Sequence, residues 1–444
     1  MSRWIANLPA EQVVYFAACE VMHRGLISVG CPLEPLGNHF GILAGYAFKS
    51  KDYESDGIPL LRNINVKPDR VDWTDRVCLP DETATEFERF RLSKGDLVLS
   101  MDGTVNKQGI KIAFLSDLDV PSLLLQRVCR FEPQSRVEKR FLYHALHTTD
   151  FLDHLDESNR SIAIPHVSPG QLKSFTIPVP AEAMQKSVCD FLDAVRLGVP
   201  ANTWPALPKQ LAEQRRVVAR IEELAAQIHE ARTLRHQAAE DAEAFVTSVH
   251  ASLAGKRTKK LREILKLDED AVPIEATDSY PQVGVRSFGG GLFPKGAVEG
   301  TGTTYRVFNR LYDGAMLLSQ VKGWEGAVAV CPPELAGWFV SPEYRTFRCI
   351  PTESRPNYLA PLVRTEWFWS KLTTATRGVG ARRERTRPEQ FLNIELPMPD
   401  VEQQKRGEAL FAEVDALKRL QAETAAELAA LLPAILDRAF KEEL

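Results

Sequence analysis

PGQLKSFTIPVP, from Pro169 to Pro180, returns as PEQFLNIELPMP from Pro388 to Pro399, 219 residues further along the chain. The same offset relates Gly95-Asp96-Leu97-Val98-Leu99-Ser100 to Gly314-Ala315-Met316-Leu317-Leu318-Ser319. Between these anchors QRVCRFEP (Gln126 to Pro133) lies over YRTFRCIP (Tyr344 to Pro351), setting Arg127 on Arg345 and Arg130 on Arg348. Solenoid repeats have periods of about 20 to 50 residues, so a period this long marks a duplicated domain. Two related domains in one chain imply two related sites and a partner that is extended or two-fold.

In the first copy, β-like runs at 58–64, 97–100, 110–115, 127–131 and 175–179 are separated by Pro, Gly and Asp. A helix is predicted over about 139–155, where Leu142, Leu146, Phe151 and Leu155 keep helical spacing. The second copy, about 261–399, repeats the order, with its helix at 358–372. Each copy therefore reads as an α+β domain on a twisted, mostly antiparallel sheet.

A long helix follows each copy. Val217, Ile221, Leu224, Ile228, Ala231, Ala238, Ala242, Phe245 and Val249 recur at steps of four and three, broken only at Arg235. Such spacing over about five heptads predicts a coiled-coil seam. Leu410, Val414, Leu417, Leu428, Leu431 and Ile435 keep a similar register, interrupted at Gln421 and Thr424, and Pro433 is expected to kink or end the last turns. AEQRRVVARIEEL (Ala212 to Leu224) aligns with EQQKRGEALFAEV (Glu402 to Val414), and the economical partner for each strip is the other helix. The segment 181–208 has no visible counterpart in the second half; it reads as a short amphipathic helix and a Pro-rich linker. The expected organisation is an N-terminal helical segment (1–30), a first domain (31–180), a central helical region (181–255), a second domain (256–396) and a C-terminal coiled-coil helix (397–444).

Composition adds exclusions. With 44% apolar and 26% charged residues the 444-residue chain is ordinarily globular, and a net charge of −4 creates no global field for a polyanion. Any nucleic-acid surface must be local. The seven cysteines are odd in number and never spaced as Cys-x-x-Cys, which argues against zinc or a disulfide framework and for a reducing compartment. No stretch approaches the roughly 18 apolar residues of a membrane span, and no secretory pattern opens the chain. The expectation is a cytoplasmic protein without a membrane partner. No Gly-x-x-x-x-Gly-Lys-Ser/Thr loop, no Asn-Pro-Pro-Tyr-type motif and no convincing nuclease cluster is found, and Gly289 to Gly291 lack dinucleotide spacing. The expectation is a chain with no catalytic residues, no metal and no cofactor of its own.

Proline-rich strand ends followed by Glu-Gln-basic and a long helix, twice over, resemble the specificity subunits of type I restriction-modification systems. The residues that carry this are IPVP (Ile177 to Pro180), LAEQRRVVARIEEL (Leu211 to Leu224), LPMPDVEQQKR (Leu396 to Arg406) and GYAFKSKDYESDGIPLLRNI (Gly45 to Ile64). The resemblance implies that each domain reads one half of a split double-stranded DNA target. It implies that the two helices pack antiparallel, as spacer and as platform for two modification (methyltransferase) subunits. Restriction (motor-nuclease) subunits would join them. S-adenosylmethionine would then belong to the modification subunits, and ATP with Mg to the restriction subunits. Because the two domains differ in sequence, the target would be asymmetric.

Candidate DNA contacts cluster in loops. RGVGARRERTR supplies Arg377, Arg382, Arg383, Arg385 and Arg387, suited to phosphates and guanine edges, or else to a solvated loop. Its counterpart in the first domain supplies Asn159, Arg160, Ser161 and His166. The loops after the Leu-Ser strand ends bring Asp102, Thr104, Asn106, Lys107 and Gln108 in one copy, and Gln320, Lys322 and Trp324 in the other. Trp324 reads equally as a stacking group or as a cap on the sheet. Arg62, Asn63 and Arg286 sit where the family's early strand faces the groove. Arg127, Arg130, Arg345 and Arg348 read as sheet-surface charges. Two other functions stay open: an adaptor whose duplicated domains bind protein, and a stand-alone nuclease or methyltransferase with a degenerate motif.

Overall fold

The computed structural model describes residues 10–158, 166–376 and 385–441. The chain divides into two compact units, one formed by 1–232 with 427–444 and the other by 233–426.

In the first unit, β1 (Phe40–Ala44), β2 (Leu97–Ser100), β3 (Ile112–Phe114) and β4 (Val128–Pro133) form an antiparallel sheet in the order β3-β2-β4-β1. The second unit repeats it with β5 (Leu265–Leu267), β6 (Met316–Ser319), β7 (Val328–Val330) and β8 (Tyr344–Cys349), ordered β7-β6-β8-β5. Each sheet is joined by a second sheet carrying one parallel pair: 122–124 beside 58–61 in the first copy, and Phe339 beside Gln282 in the second. The α+β class and the duplication are both present in the structure.

Strand pairing corrects the register within the repeat. Ser100 faces Val128 in the first sheet and Ser319 faces Tyr344 in the second. Val128 is thus equivalent to Tyr344, and Arg127 to Glu343, rather than Arg127 to Arg345. The cores agree, since this register superposes the buried Phe131 and Phe347. Sequence matching was misled by the two arginines, which lie on the same face after a slip of two residues.

The repeated proline motif is a helix start. Ser168 precedes Pro169, its Oγ accepts from the Gln171 amide, and Gln171 Oε1 accepts in return from the Ser168 amide at 2.7 Å. Gln390 Oε1 accepts from the Arg387 amide in the same way, at 3.1 Å. Proline at the first helical position costs no hydrogen bond, and glutamine two residues later returns to the cap. Leu172 and Phe391 then bury fully, and a short strand pairs back to the domain entrance, Thr176–Pro178 with Leu33–Pro35 and Glu395–Pro397 with Thr258–Lys260.

The helix expected within each domain is in fact two, Lys139–Ala145 with Thr149–Ser158 and Pro356–Leu362 with Glu366–Thr376, and the helices depart from expectation in three further respects. The helices used below are α1 (Ala10–Ser28), α2 (Lys139–Ala145), α3 (Glu182–Arg196), α4 (Ala212–Ala254), α5 (Pro356–Leu362), α6 (Val401–Glu423) and α7 (Ala425–Phe440). First, segment 181–208 has a counterpart after all, because α3 is the equivalent of the start of α6. Gln185 Nε2 donates to the Pro180 carbonyl at 2.9 Å while its Oε1 accepts from the Glu138 amide ahead of α2. Gln404 Nε2 donates to the Pro399 carbonyl at 2.9 Å while its Oε1 accepts from the Arg355 amide ahead of α5. Both glutamines are fully buried. In the first copy this helix stops near Gly198, and α4 begins after the Pro-rich connector; in the second it runs on.

Second, the buried positions lie one residue beyond several seam positions. Phe245, Leu410, Leu417 and Leu431 are exposed, whereas Val246, Phe411 and Leu432 are buried. Val217 and Leu224 are half-buried beside the buried Val218 and Ala225; Val249 and Leu428 are half-buried; Ile221, Ile228 and Val414 are buried as expected. The cause is what the helices pack against. Val218, Ile221, Ala225 and Ile228 share one core with α1, α3 and the last helix, while Val246, Phe411 and Val414 share another with Tyr358 and Phe368. Facing a domain rather than a lone partner turns the buried stripe.

Third, the C-terminal helix breaks at Thr424, not at Pro433, which lies inside α7. At the break Arg235 Nη1 donates to Thr424 Oγ1 at 3.0 Å and Nη2 to the Gln421 carbonyl. The residue that interrupts the heptads is therefore the one that clamps α4 to α6. With Arg257 paired to Asp400 at 2.8 Å near the other end, these two helices run antiparallel inside the second unit.

Candidate nucleic-acid interface

In the first domain three chain segments cross at the end of β2. The Met101 amide donates to the Arg127 carbonyl and the Val167 amide to the Met101 carbonyl, each at 2.8 Å. Beside this crossing Asp102 is almost buried, with a side-chain exposure of 10%. Its Oδ2 accepts from Arg127 Nη1 at 2.7 Å and its Oδ1 from His166 Nδ1 at 2.5 Å. Lys111 reaches the Asp102 carbonyl at 3.2 Å, and burial, followed by repulsion from Lys67, draws its pKa down. A carboxylate fixed this deeply orients the cations around it more than it neutralises them.

The hairpin that follows, Val105–Asn106 against Gly109–Ile110, presents Lys107 and Gln108 at its exposed tip. Asn106 Oδ1 accepts from the Gln108 amide at 2.7 Å and shapes that tip. Thr104 is buried, donating to the Ser100 carbonyl at 2.8 Å, so its role is to hold the loop. Arg62 is engaged in its own turn by Asp75 at 2.8 Å and by Asn65, with Asn63 half-buried beside it. Asn159, Arg160 and Ser161 lie outside the described residues.

The second domain builds the same crossing. The Gln320 amide donates to the Glu343 carbonyl at 3.0 Å, and the Thr386 amide to the Gln320 carbonyl at 2.8 Å. The side chains at the crossing are now Glu343 and Arg385, an exposed pair at 3.4 Å. Arg387 is exposed next to it, whereas Arg377, Arg382 and Arg383 lie outside the described residues. Lys322 and Trp324 are exposed on the turn after β6. That turn closes at Gly326, whose φ of 76° and contact with the Trp369 ring leave no room for a Cβ. Arg286 lies over the Phe293 ring, 4.8 Å from its centroid.

The other arginines divide cleanly. Arg130 is half-buried between Glu132 and Asp96, Arg345 pairs with Glu269 at 3.1 Å, and Arg348 pairs with Asp268 over the Tyr312 ring. These hold the sheets. Arg127, Lys111 and Glu343 were missed in the sequence, because nothing in a strand-flanking Gln-Arg or Pro-Glu pair separates a turn residue from a sheet charge. Only the internal repeat, in its correct register, could have marked Arg127 and Glu343 as a matched pair.

Residues 43–199 match the family model described as the type I restriction modification DNA specificity domain, a span that ends just after α3. The chain is 36% identical over 159 residues to the type I restriction enzyme EcoAI specificity subunit of Escherichia coli, covering 36% of this chain and 27% of that one. It is 28% identical over 155 residues to the MjaVIII specificity subunit of Methanocaldococcus jannaschii, covering 35% and 36% respectively. The chain thus spans about a quarter to a third of the length of these curated relatives. A solved chain from work on complex assembly and conformational transition of the type I R-M system shares the fold across 94% of this chain and 98% of its own, with a TM-score of 0.57 and 20% identity. The duplicated α+β domains with their long helices form an architecture shared with that solved chain. Residues 43–199 are thus similar in sequence to type I restriction modification specificity domains, and the chain as a whole shares its fold with a solved chain of such a system.

Proposed function

We propose that the chain recognises a split, asymmetric sequence in double-stranded DNA, one half with each domain, and directs partner subunits to it. The observation that carries this reading is the repeated three-segment crossing, built on the same backbone hydrogen bonds in both domains but with different charged side chains at its surface. A common frame with exchanged polar groups suits two readers of different half-sites. Phosphate contacts would come from exposed cations around the crossings, such as Lys107, Lys322 and Arg387.

The helices support a docking role. Leu234, Phe245, Leu410, Leu417 and Leu420 are exposed on α4 and α6, which fits a platform covered by modification subunits, two of them if both copies dock alike. Chemistry would then belong to the partners: methyl transfer with S-adenosylmethionine to the modification subunits, ATP-driven cleavage to restriction subunits. This reading is of a non-enzymatic subunit working in the cytoplasm. No helix among the described residues is long and apolar enough to cross a membrane.

The test is the purified full chain combined with modification subunits, measured against duplexes of varied sequence and with labelled S-adenosylmethionine. Sequence-selective binding, and methyl incorporation only in the combined sample, are expected. Binding without sequence preference would favour the protein-adaptor reading, and methylation by the pure chain alone would overturn the non-enzymatic one.

A further inference from the structure

The geometry points to Arg127 as a base-reading side chain, aimed by Asp102 at a guanine edge in the half-site taken by the first domain. This rests on the DNA-reading proposal above and adds a residue and a base to it.

Four observations converge. Arg127 has φ of 70°, the left-handed region that a non-glycine residue adopts only under strain. Strain of this kind persists where surrounding structure over-determines it, and here the Arg127 carbonyl is pinned by the Met101 amide. Its side chain is nevertheless 62% exposed, held at one nitrogen by a carboxylate that is itself only 10% exposed. The remaining donors of the fork therefore face solvent from a fixed base, as a bidentate contact requires.

The comparison between copies separates reading from anchoring. Arg127 and Glu343 occupy the same place, each directly before the central strand and each accepting through its carbonyl from the residue after the β2 or β6 serine. His166 and Arg385 are likewise matched, each directly preceding the residue whose amide closes the crossing. A position that grips phosphate would carry a cation in both copies, because every phosphate is alike. A position that reads bases changes with the base. Arginine matches guanine O6 and N7, and a carboxylate matches the amino group of cytosine. The reversal from Arg127 to Glu343 has the second pattern.

Asp102 is the positioning residue. Its two oxygens are divided between Arg127 and His166, so it fixes the guanidinium without closing both of its edges.

The experiment selects bound duplexes from a pool randomised over the target, using the full chain assembled with modification subunits. Wild type, Arg127→Gly, Arg127→Lys and Asp102→Asn are compared. Glycine relieves the positive φ, so Arg127→Gly cannot fail through backbone strain. The expected result is loss of guanine preference at one base pair of one half-site, by roughly 5- to 150-fold for Arg127→Gly, with the other half-site unchanged. Asp102→Asn should relax the same base pair more weakly while melting temperature stays near wild type, and Arg127→Lys should not restore bidentate selection. A uniform loss over all sequences with a shallower salt slope would overturn the proposal in favour of a phosphate contact. Unchanged selection in folded Arg127→Gly would also overturn it. If wild type itself selects no sequence, the DNA-reading proposal fails first, which is a distinguishable outcome.

Discussion

Gln404→Met is the most direct perturbation of the frame that both domains share. The Gln404 side chain is fully buried and serves three backbone groups: it accepts from the Arg355 amide at 3.0 Å and donates to the Glu353 and Pro399 carbonyls, each at 2.9 Å. Methionine keeps the length and volume but supplies none of these bonds. A buried polar group left without a partner costs about 1–3 kcal/mol, and carbonyls tolerate it better than amides, so the sum should fall at about 3–6 kcal/mol. That is a large share of the 5–15 kcal/mol that typically separates folded from unfolded. The equivalent Gln185 serves two groups, the Glu138 amide and the Pro180 carbonyl, so Gln185→Met should cost about 2–4 kcal/mol in the first unit. Urea denaturation followed by circular dichroism gives the magnitudes, and hydrogen exchange at the Arg355 amide gives the location. The exposed Lys405→Met, one residue on, should stay within about 0.5 kcal/mol of wild type. A loss under about 1 kcal/mol for Gln404→Met, with the Arg355 amide still protected, would refute the buried glutamine as the residue that ties the second domain to its helix.

Other expectations follow from the helices and the interface. Val246→Ala should cost about 1–3 kcal/mol of stability and Phe245→Ala under about 1, because Val246 is 1% exposed and Phe245 43%; thermal denaturation of the pair checks the corrected register. His250 is held down to about 4 by burial, well below its unfolded value of about 6.5. The unfolded chain therefore takes up a proton first as the medium is acidified, and the His250 contribution is present above about pH 6.5 and lost progressively as pH falls toward 4. Stability of the second unit measured from pH 7 to pH 4 should decline less in a folded His250→Gln variant. At the exposed hairpin tip, Lys107→Ala should weaken DNA binding about equally for all sequences and flatten the slope of log K against log salt by about 0.9, as loss of one phosphate contact requires. Salt titration of binding reads it directly.

The duplication, the α+β class and the positions of the strand-bearing segments were legible because period-2 and period-3.6 patterns survive in both copies. The helix start at Pro169 and Pro388 was visible as a repeated string, and its Gln171 and Gln390 caps explain why the string recurs. The heptad register was harder. One apolar residue looks like another in sequence, and choosing Leu410 over Phe411 depends on whether a helix faces a partner helix or a domain core. The counterpart of α3 was hidden for a different reason: one copy breaks its helix near Gly198 while the other continues, so matching Ala212 onward to Glu402 onward looked better than the true match through Gln185 and Gln404. At the interface, exposed loop cations could be named from composition. Arg62 and Thr104 could not be set apart as structural, nor Arg127 as exposed, because those distinctions rest on tertiary partners such as Asp75, Ser100 and Asp102.

The central claim is that two unlike domains read two unlike half-sites. Its most direct test is a genome-wide map of methylated bases in cells that carry the partner subunits, with and without this chain. The account predicts methylation, present only with the chain, within one motif made of two different short sequences separated by a spacer of constant length. A palindromic or single-part motif, or a methylation pattern unchanged by removing the chain, would contradict it.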